Sequence, residues 1–322
     1  VKYSDRDTSA QRRAGQRGCR GMGANVAIDA RCYRLSEPLQ PYFTALYAFS
    51  FDCGSGPPIE DWLHPEWSQM RFVWGETPYA CIGPGPLREQ WPFVASGPTS
   101  RSIHFKLTNG KAWGLGLLPA GWAKFACGPA SAVADTTVDG SSHPAFGLFA
   151  PIQQMIGRDE PDLDAFAARI NDFLMEHVDR PDSHRDLVTA CHRALRDPDV
   201  ATVSQLAGRV GLEARSLERL CSRYFGFPPK MLLRRQRFLR SLATFMLDGG
   251  TSWSSAIDRH YHDQAQFVRD FRAFMGMTPS EYAERPHPII APTMAQRMAD
   301  HGIAPQTDLP TILRYGTGVE RR

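Results

Sequence analysis

The chain has 322 residues, 42% of them hydrophobic and 22% charged, with a formal net charge of +3. A single core rarely grows past about 250 residues, so two cores are expected, and the small net charge by itself names no partner. No apolar run approaches the roughly 18 residues of a membrane span, and seven scattered cysteines without CxxC spacing suggest neither a disulfide framework nor a zinc site.

Residues 1–24 have no apolar period and are rich in Arg, Gly, Ser and Gln, which predicts a disordered arm. With no hydrophobic signal region there, a cytoplasmic location away from membranes is expected. Residues 25–160 carry the signals of short strands. "YAFSF" (47–51) and "MRFVW" (70–74) alternate, and Gly and Pro punctuate the region as a sandwich or barrel requires. In "IHFKLTNGKAWGLGLL" (103–118) Asn109-Gly110 lies between two apolar runs, which predicts a type I′ hairpin because both residues tolerate positive φ. The region is expected to be an effector or dimerisation domain.

A metal-dependent cupin-type enzyme is the rival reading of this half. It needs a His-x-His with further ligands on neighbouring strands, whereas His64, His104 and His143 stand singly. There is no GxSxG or P-loop, so no catalytic residues, metal ligands or cofactor are expected. Trp62, Trp67, Trp74, Trp91, Trp113 and Trp122 either fill the core or line a pocket.

From 161 to 182 the period becomes helical. Leu163, Phe166, Ile170, Phe173, Leu174 and His177 form one stripe on a linker helix. The stripe either packs on its own β domain or pairs two subunits of a homodimer. Residues 183–285 read as a helical bundle, and 286–322 as a tail too rich in Pro to extend it.

Within the bundle "SLERLCSRYFGFPPKML" (216–232) aligns with "QFVRDFRAFMGMTPSEY" (266–282), keeping an Arg, a Gly and a Pro in register with the apolar pattern. Each copy reads as helix, tight turn and second helix, with Ala207 and Ala256 where the helices cross, the layout of a helix-turn-helix. Leu217, Leu220, Cys221 and Tyr224 are the buried face of the first copy, and Phe267, Phe271, Phe274 and Met275 that of the second. Asp263 is the predicted N-cap of the second reading helix. Between the copies, residues 229–247 predict one continuous helix, started by Pro229 and stopped by Gly249-Gly250. From Arg215 to Arg240 eight basic residues stand against Glu218 alone, a footprint suited to phosphates. Arg223, Arg234, Arg235 and Arg272 are the phosphate candidates. Arg and Gln on the outer faces have the donor geometry that reads guanine and adenine in the major groove.

These residues resemble the C-terminal DNA-binding region of AraC/XylS-type bacterial transcription regulators. The signature is Tyr261-x-Asp263-Gln264-x-x-Phe267-x-Arg269-x-Phe271 followed by Gly276-Met-Thr-Pro279-x-x-Tyr282. The resemblance implies two recognition helices in successive major grooves of double-stranded DNA. Arg215, Glu218 and Arg219 would then read bases from the first, and Gln264, Gln266 and Arg269 from the second. It also implies RNA polymerase as a partner. His260 stands where that family usually has a turn Gly, Glu213 replaces the common N-cap Ser, and Glu218 can accept from cytosine N4 while repelling phosphate. Farther upstream, "GPTSR" (97–101) and "GLLPAGW" (116–122) are similar to the cupin-like sensor region of one branch of these regulators, which implies a small-molecule effector or dimerisation.

The expected fold is therefore α+β with two domains, an N-terminal all-β cupin-like domain and a C-terminal all-α bundle with two helix-turn-helix units. The expected function is sequence-specific DNA binding by an effector-responsive activator. A cupin-type enzyme fused to a helical module and a regulator that responds to no ligand are the alternatives.

Overall fold

The structure, a computed structural model, describes residues 27–155, 162–247 and 252–292. The predicted arm, Gly249-Gly250 and most of the predicted tail lie outside the described residues. The N-terminal half holds two antiparallel sheets. One has the order β1 (Ala27–Tyr33), β2 (Phe43–Asp52), β9 (Gly110–Leu117), β4 (Ser68–Gly75), β7 (Phe93–Ser96) and β10 (Thr137–Asp139). The other runs β3 (Ile59–Leu63), β8 (Ile103–Leu107), β5 (Tyr79–Ile82) and β6 (Arg88–Glu89).

Both faces of the larger sheet are covered, because its strands carry apolar residues at alternating and intervening positions. Met70, Phe72, Trp113 and Leu115 face the helices, while Tyr47, Phe51, Arg71 and Val73 face the smaller sheet. Gly114 is required where Tyr47 crosses β9, since a Cβ there would lie 1.8 Å from the Tyr47 ring.

The hairpin expected at Asn109-Gly110 is not formed. Strands β8 and β9 belong to different sheets, and the dipeptide carries the chain from one to the other. Neither residue has positive φ. Asn109 instead accepts from the Cys53 amide at 2.8 Å and donates to Glu76 at 3.1 Å, and a Cβ at Gly110 would meet the Trp74 carbonyl at 2.4 Å. Close approach, not a turn type, selects glycine here.

The helices are α1 (Pro119–Phe125), α2 (Ala150–Met155), α3 (Leu163–Met175), α4 (Arg185–Arg196), α5 (Val203–Val210), α6 (Ala214–Phe225), α7 (Pro229–Leu247), α8 (Trp253–Ala256), α9 (Gln264–Met275) and α10 (Pro279–Ala283). Asp162 caps α3 by accepting from the Asp164 and Ala165 amides. Its stripe is spent within the chain: Phe166, Ile170 and Leu174 are buried, Phe166 lies edge-on to Trp113 with centroids 4.6 Å apart, and Asn171 accepts from the Ser36 amide. Packing on its own β domain is thus the reading that holds for this face.

The two separate cores expected from length are not what the buried residues form. One cluster passes from Leu46 and Trp67 through Phe166 and Leu195 to Phe225 and Leu233, because α4 and α6 press their apolar faces against the β half. A second gathers Phe238, Phe267, Phe271 and Tyr282 and takes in Trp62 from strand β3. After α10 the chain returns to the β half, where the buried Asp61 carboxylate accepts from the Ile289 and Ile290 amides, each at 2.9 Å. No described helix is long and apolar enough to cross a membrane.

Candidate nucleic-acid interface

The first reading unit is α5 followed by α6. A capping box of Thr202 and Gln205 starts α5, and Gly211 at φ 72° ends it in the left-handed conformation that lets the chain reverse. Glu213 makes no side-chain cap bond to α6, as its residue type predicts. Leu217, Leu220, Cys221 and Tyr224 are buried, which leaves Arg215, Glu218, Arg219 and Arg223 exposed on the outer face.

The second unit is α8 followed by α9, with Ala256 buried at the crossing. Its turn differs from that of the first. His260 occupies the place of the usual Gly, but its φ is not positive, so the left-handed geometry that a glycine turn calls for is not used. A carboxylate closes the turn instead. Asp258 accepts from the His260 amide at 2.9 Å and, through its other oxygen, from Arg240 Nε at 2.6 Å. Burial works to raise the Asp258 carboxyl, but the Arg240 guanidinium and the His260 amide more than offset it, so the group sits below the usual aspartate range.

Asp263 caps α9 by accepting from the Gln266 amide at 2.6 Å. Phe267, Phe271, Phe274 and Met275 are buried, and Gln264, Arg269 and Arg272 are exposed. Gln266 is half-buried and its side-chain oxygen accepts from the His262 amide at 3.0 Å, a capping task for a residue expected to read a base.

Of the phosphate candidates, Arg223 and Arg272 are exposed. Arg234 is half-buried and donates through Nε to Asp270 at 2.6 Å. Arg235 is a correction. It is 1% exposed, its Nη1 donates to the Thr99 carbonyl at 2.9 Å, and its guanidinium lies 3.9 Å from the centroid of Trp67. A cation seated under the β half cannot also reach a phosphate.

One participant was not singled out in the sequence. Asp270 is buried in α9 and takes both Arg234 and Arg237, the latter at 3.0 Å, so it fastens α9 to α7. Its helical phase, one turn from Phe267 and one from Phe274, marks it as inward-facing. Between the two units lies a cleft of about 500 Å³ lined by Thr202, Lys230, Arg234, Arg237, His260 and Asp270. Cations outnumber acids there, which suits a polyanion.

The β half has a cavity of about 110 Å³ between its sheets, lined by Tyr47, Phe51, Arg71, Ile103, Phe105 and Ile289. Arg71 is ion-paired with Glu66. His104 stacks on Trp62 with centroids 4.5 Å apart and bonds to Glu60, and His64 bonds to the Tyr282 hydroxyl at 2.7 Å. Among the described residues no group of three His, Cys, Asp or Glu side chains could hold a metal ion.

Residues 206–285 match the family model described as a helix-turn-helix domain. No curated protein matches the chain significantly. Solved structures to which it is similar include the AraC-like transcriptional activator CuxR, at 13% identity and TM-score 0.31 over 70% of this chain and 85% of that one. ToxT from Vibrio cholerae, in its P21 form, is similar at 10% identity and TM-score 0.41 over 75% of this chain and 98% of that one. ToxT from Vibrio cholerae strain SCE256, bound to an unsaturated fatty acid, is similar at 9% identity and TM-score 0.37 over 82% of this chain and 97% of that one.

Proposed function

We propose that this chain, whose residues 206–285 are an AraC/XylS-type helix-turn-helix DNA-binding domain, is a transcription regulator that reads two successive major grooves of double-stranded DNA at once. The observation that carries the reading is the repetition in α6 and α9 of one layout, an apolar face buried and an Arg-bearing face in solvent, with α7 joining the two units. The 19 residues of α7, about 28 Å of helix, are the rigid link on which both units are mounted, and successive grooves on one side of B-DNA lie roughly 34 Å apart. Arg215, Glu218 and Arg219 read one base cluster, and Gln264 and Arg269 the other, with Gln266 holding the N-terminus of α9 and lying at the edge of its groove. Arg223, Arg272 and Arg234 take phosphates, Arg234 from the basic cleft.

The β half is the regulatory part. Its cavity is apolar but for a few polar groups, chief among them Arg71, and so suits a small, largely apolar molecule with an anionic group. Such an effector works only through different affinities for two arrangements of the protein. Activation through RNA polymerase and assembly as a homodimer complete the proposal.

The experiment is selection of duplexes from random sequence by the full chain, followed by competition against scrambled duplexes. Two base clusters about 10 bp apart are expected. Equal affinity for selected and scrambled DNA would refute DNA reading. Repeating the competition with a panel of small carboxylates tests the effector, and insensitivity to all of them would favour a regulator that responds to no ligand.

A further inference from the structure

Both recognition helices end on one short segment of the β half, Pro98–Ser102. Gly226, the left-handed cap of α6 at φ 82°, lies against Pro98, whose Cγ would stand 3.1 Å from a Cβ placed there. At the end of α9, the Ser102 amide donates to the Phe274 carbonyl at 2.7 Å and the Ser102 hydroxyl to the Met275 carbonyl at 3.1 Å. Helix C-termini leave carbonyls that need donors, and for α9 the β half supplies them. Between these two contacts Arg235 of α7 donates to the Thr99 carbonyl at 2.9 Å and to the Glu66 carbonyl at 3.4 Å.

The segment is itself held from below. Thr99 and Glu66 exchange two bonds, Thr99 amide to Glu66 carbonyl and Glu66 amide to Thr99 hydroxyl, each at 2.9 Å. The Ser100 amide and hydroxyl both donate to Asp135 at 2.6 Å. Asp135 has φ 53°, a left-handed conformation that a non-glycine residue keeps only where its surroundings demand it. A helix such as α7 joins the two units, yet each unit can still rock against that helix. Docking both C-termini on one fastened segment removes that freedom.

We propose that Pro98–Ser102 is the positioning element of the DNA-reading surface. It fixes the relative tilt of α6 and α9, and Glu66, bonded both to Thr99 and to the cavity residue Arg71, is the point through which the cavity acts on it. The proposal rests on the two-groove reading and gives the β half its means of control.

The test uses the full chain, a duplex it selects, the same duplex with one base pair inserted between the clusters, and a duplex keeping one cluster only. Wild type should prefer the native spacing by about tenfold. Arg235→Met and the double variant Pro98→Ala/Ser102→Ala should each lower that preference by about fivefold or more while single-cluster affinity holds. Arg71→Gln, which breaks the Glu66 pair without touching either helix, should shift it in the same direction. Folded variants that keep the wild-type preference would overturn the positioning role, and an unchanged Arg71→Gln alone would overturn the link to the cavity. Should Arg235→Met fail to melt cooperatively, the double variant decides. Equal wild-type affinity for selected and scrambled duplexes would sink the two-groove reading itself, an outcome distinct from a loss of spacing preference.

Discussion

Arg234 of α7 donates its Nε to the buried carboxylate of Asp270 in α9 at 2.6 Å, and Arg237 takes the other oxygen of the same group at 3.0 Å. One acid thus anchors the second recognition helix to the helix that links the two units. Removing one partner of a buried ionic group leaves the others uncompensated, at a cost of about 3–5 kcal/mol. Asp270→Ala is expected to lose stability of that order in chemical denaturation and to weaken specific DNA binding. A denaturation midpoint matching the wild type would show that the anchor does not matter.

Arg235→Ala removes a fully buried side chain together with its bond to the Thr99 carbonyl and its stacking on Trp67. Poorer packing and an unpaired acceptor should cost about 3 kcal/mol, read as a lower melting temperature. The exposed pair Arg223 and Arg272 should behave in the opposite way. Their replacement by Ala leaves the melt unchanged and flattens the dependence of log affinity on log salt by about 0.9 for each phosphate no longer neutralised.

Arg269→Ala, on the exposed face of α9, should cost about 1–3 kcal/mol of specific binding and relax preference at one base position. Uniform weakening across all sequences would instead assign Arg269 to a phosphate.

Asp258 gives the second unit an acid limit. Its folded carboxyl lies below the ordinary range, so its stabilising contribution is complete above the unfolded value of about 3.9 and is lost as pH falls through the folded one. Melting temperatures taken from about pH 5 down to about pH 3 should therefore fall more steeply for wild type than for Asp258→Asn, which lacks the titrating group. Parallel curves would assign the acid limit elsewhere.

Residues governed by local periodicity were legible in the sequence. The 3.6-residue phase places Phe267, Phe271 and Phe274 inside and Arg269 outside, and Pro229 marks the start of α7 where the structure has it. What failed depended on partners far along the chain. Asn109-Gly110 has the composition of a hairpin turn, but turn type follows from which strands pair, and β8 and β9 pair with different neighbours. Arg235 sits in a basic run that reads as a solvated face, although it shares its phase with Leu232, Leu239 and Leu242, all buried. His260 shows a third kind of failure. A missing turn glycine was replaced by a carboxylate two residues earlier, and only the position of Arg240 on another helix makes that exchange work.

The most direct measurement of the central claim is the affinity of the full chain for a selected duplex before and after insertion of about five base pairs, half a helical turn, between its two base clusters. Simultaneous reading by α6 and α9 predicts a fall of at least about tenfold, because the second cluster then faces away from its helix. Unchanged affinity after the insertion would contradict the use of both helices on one face of the DNA.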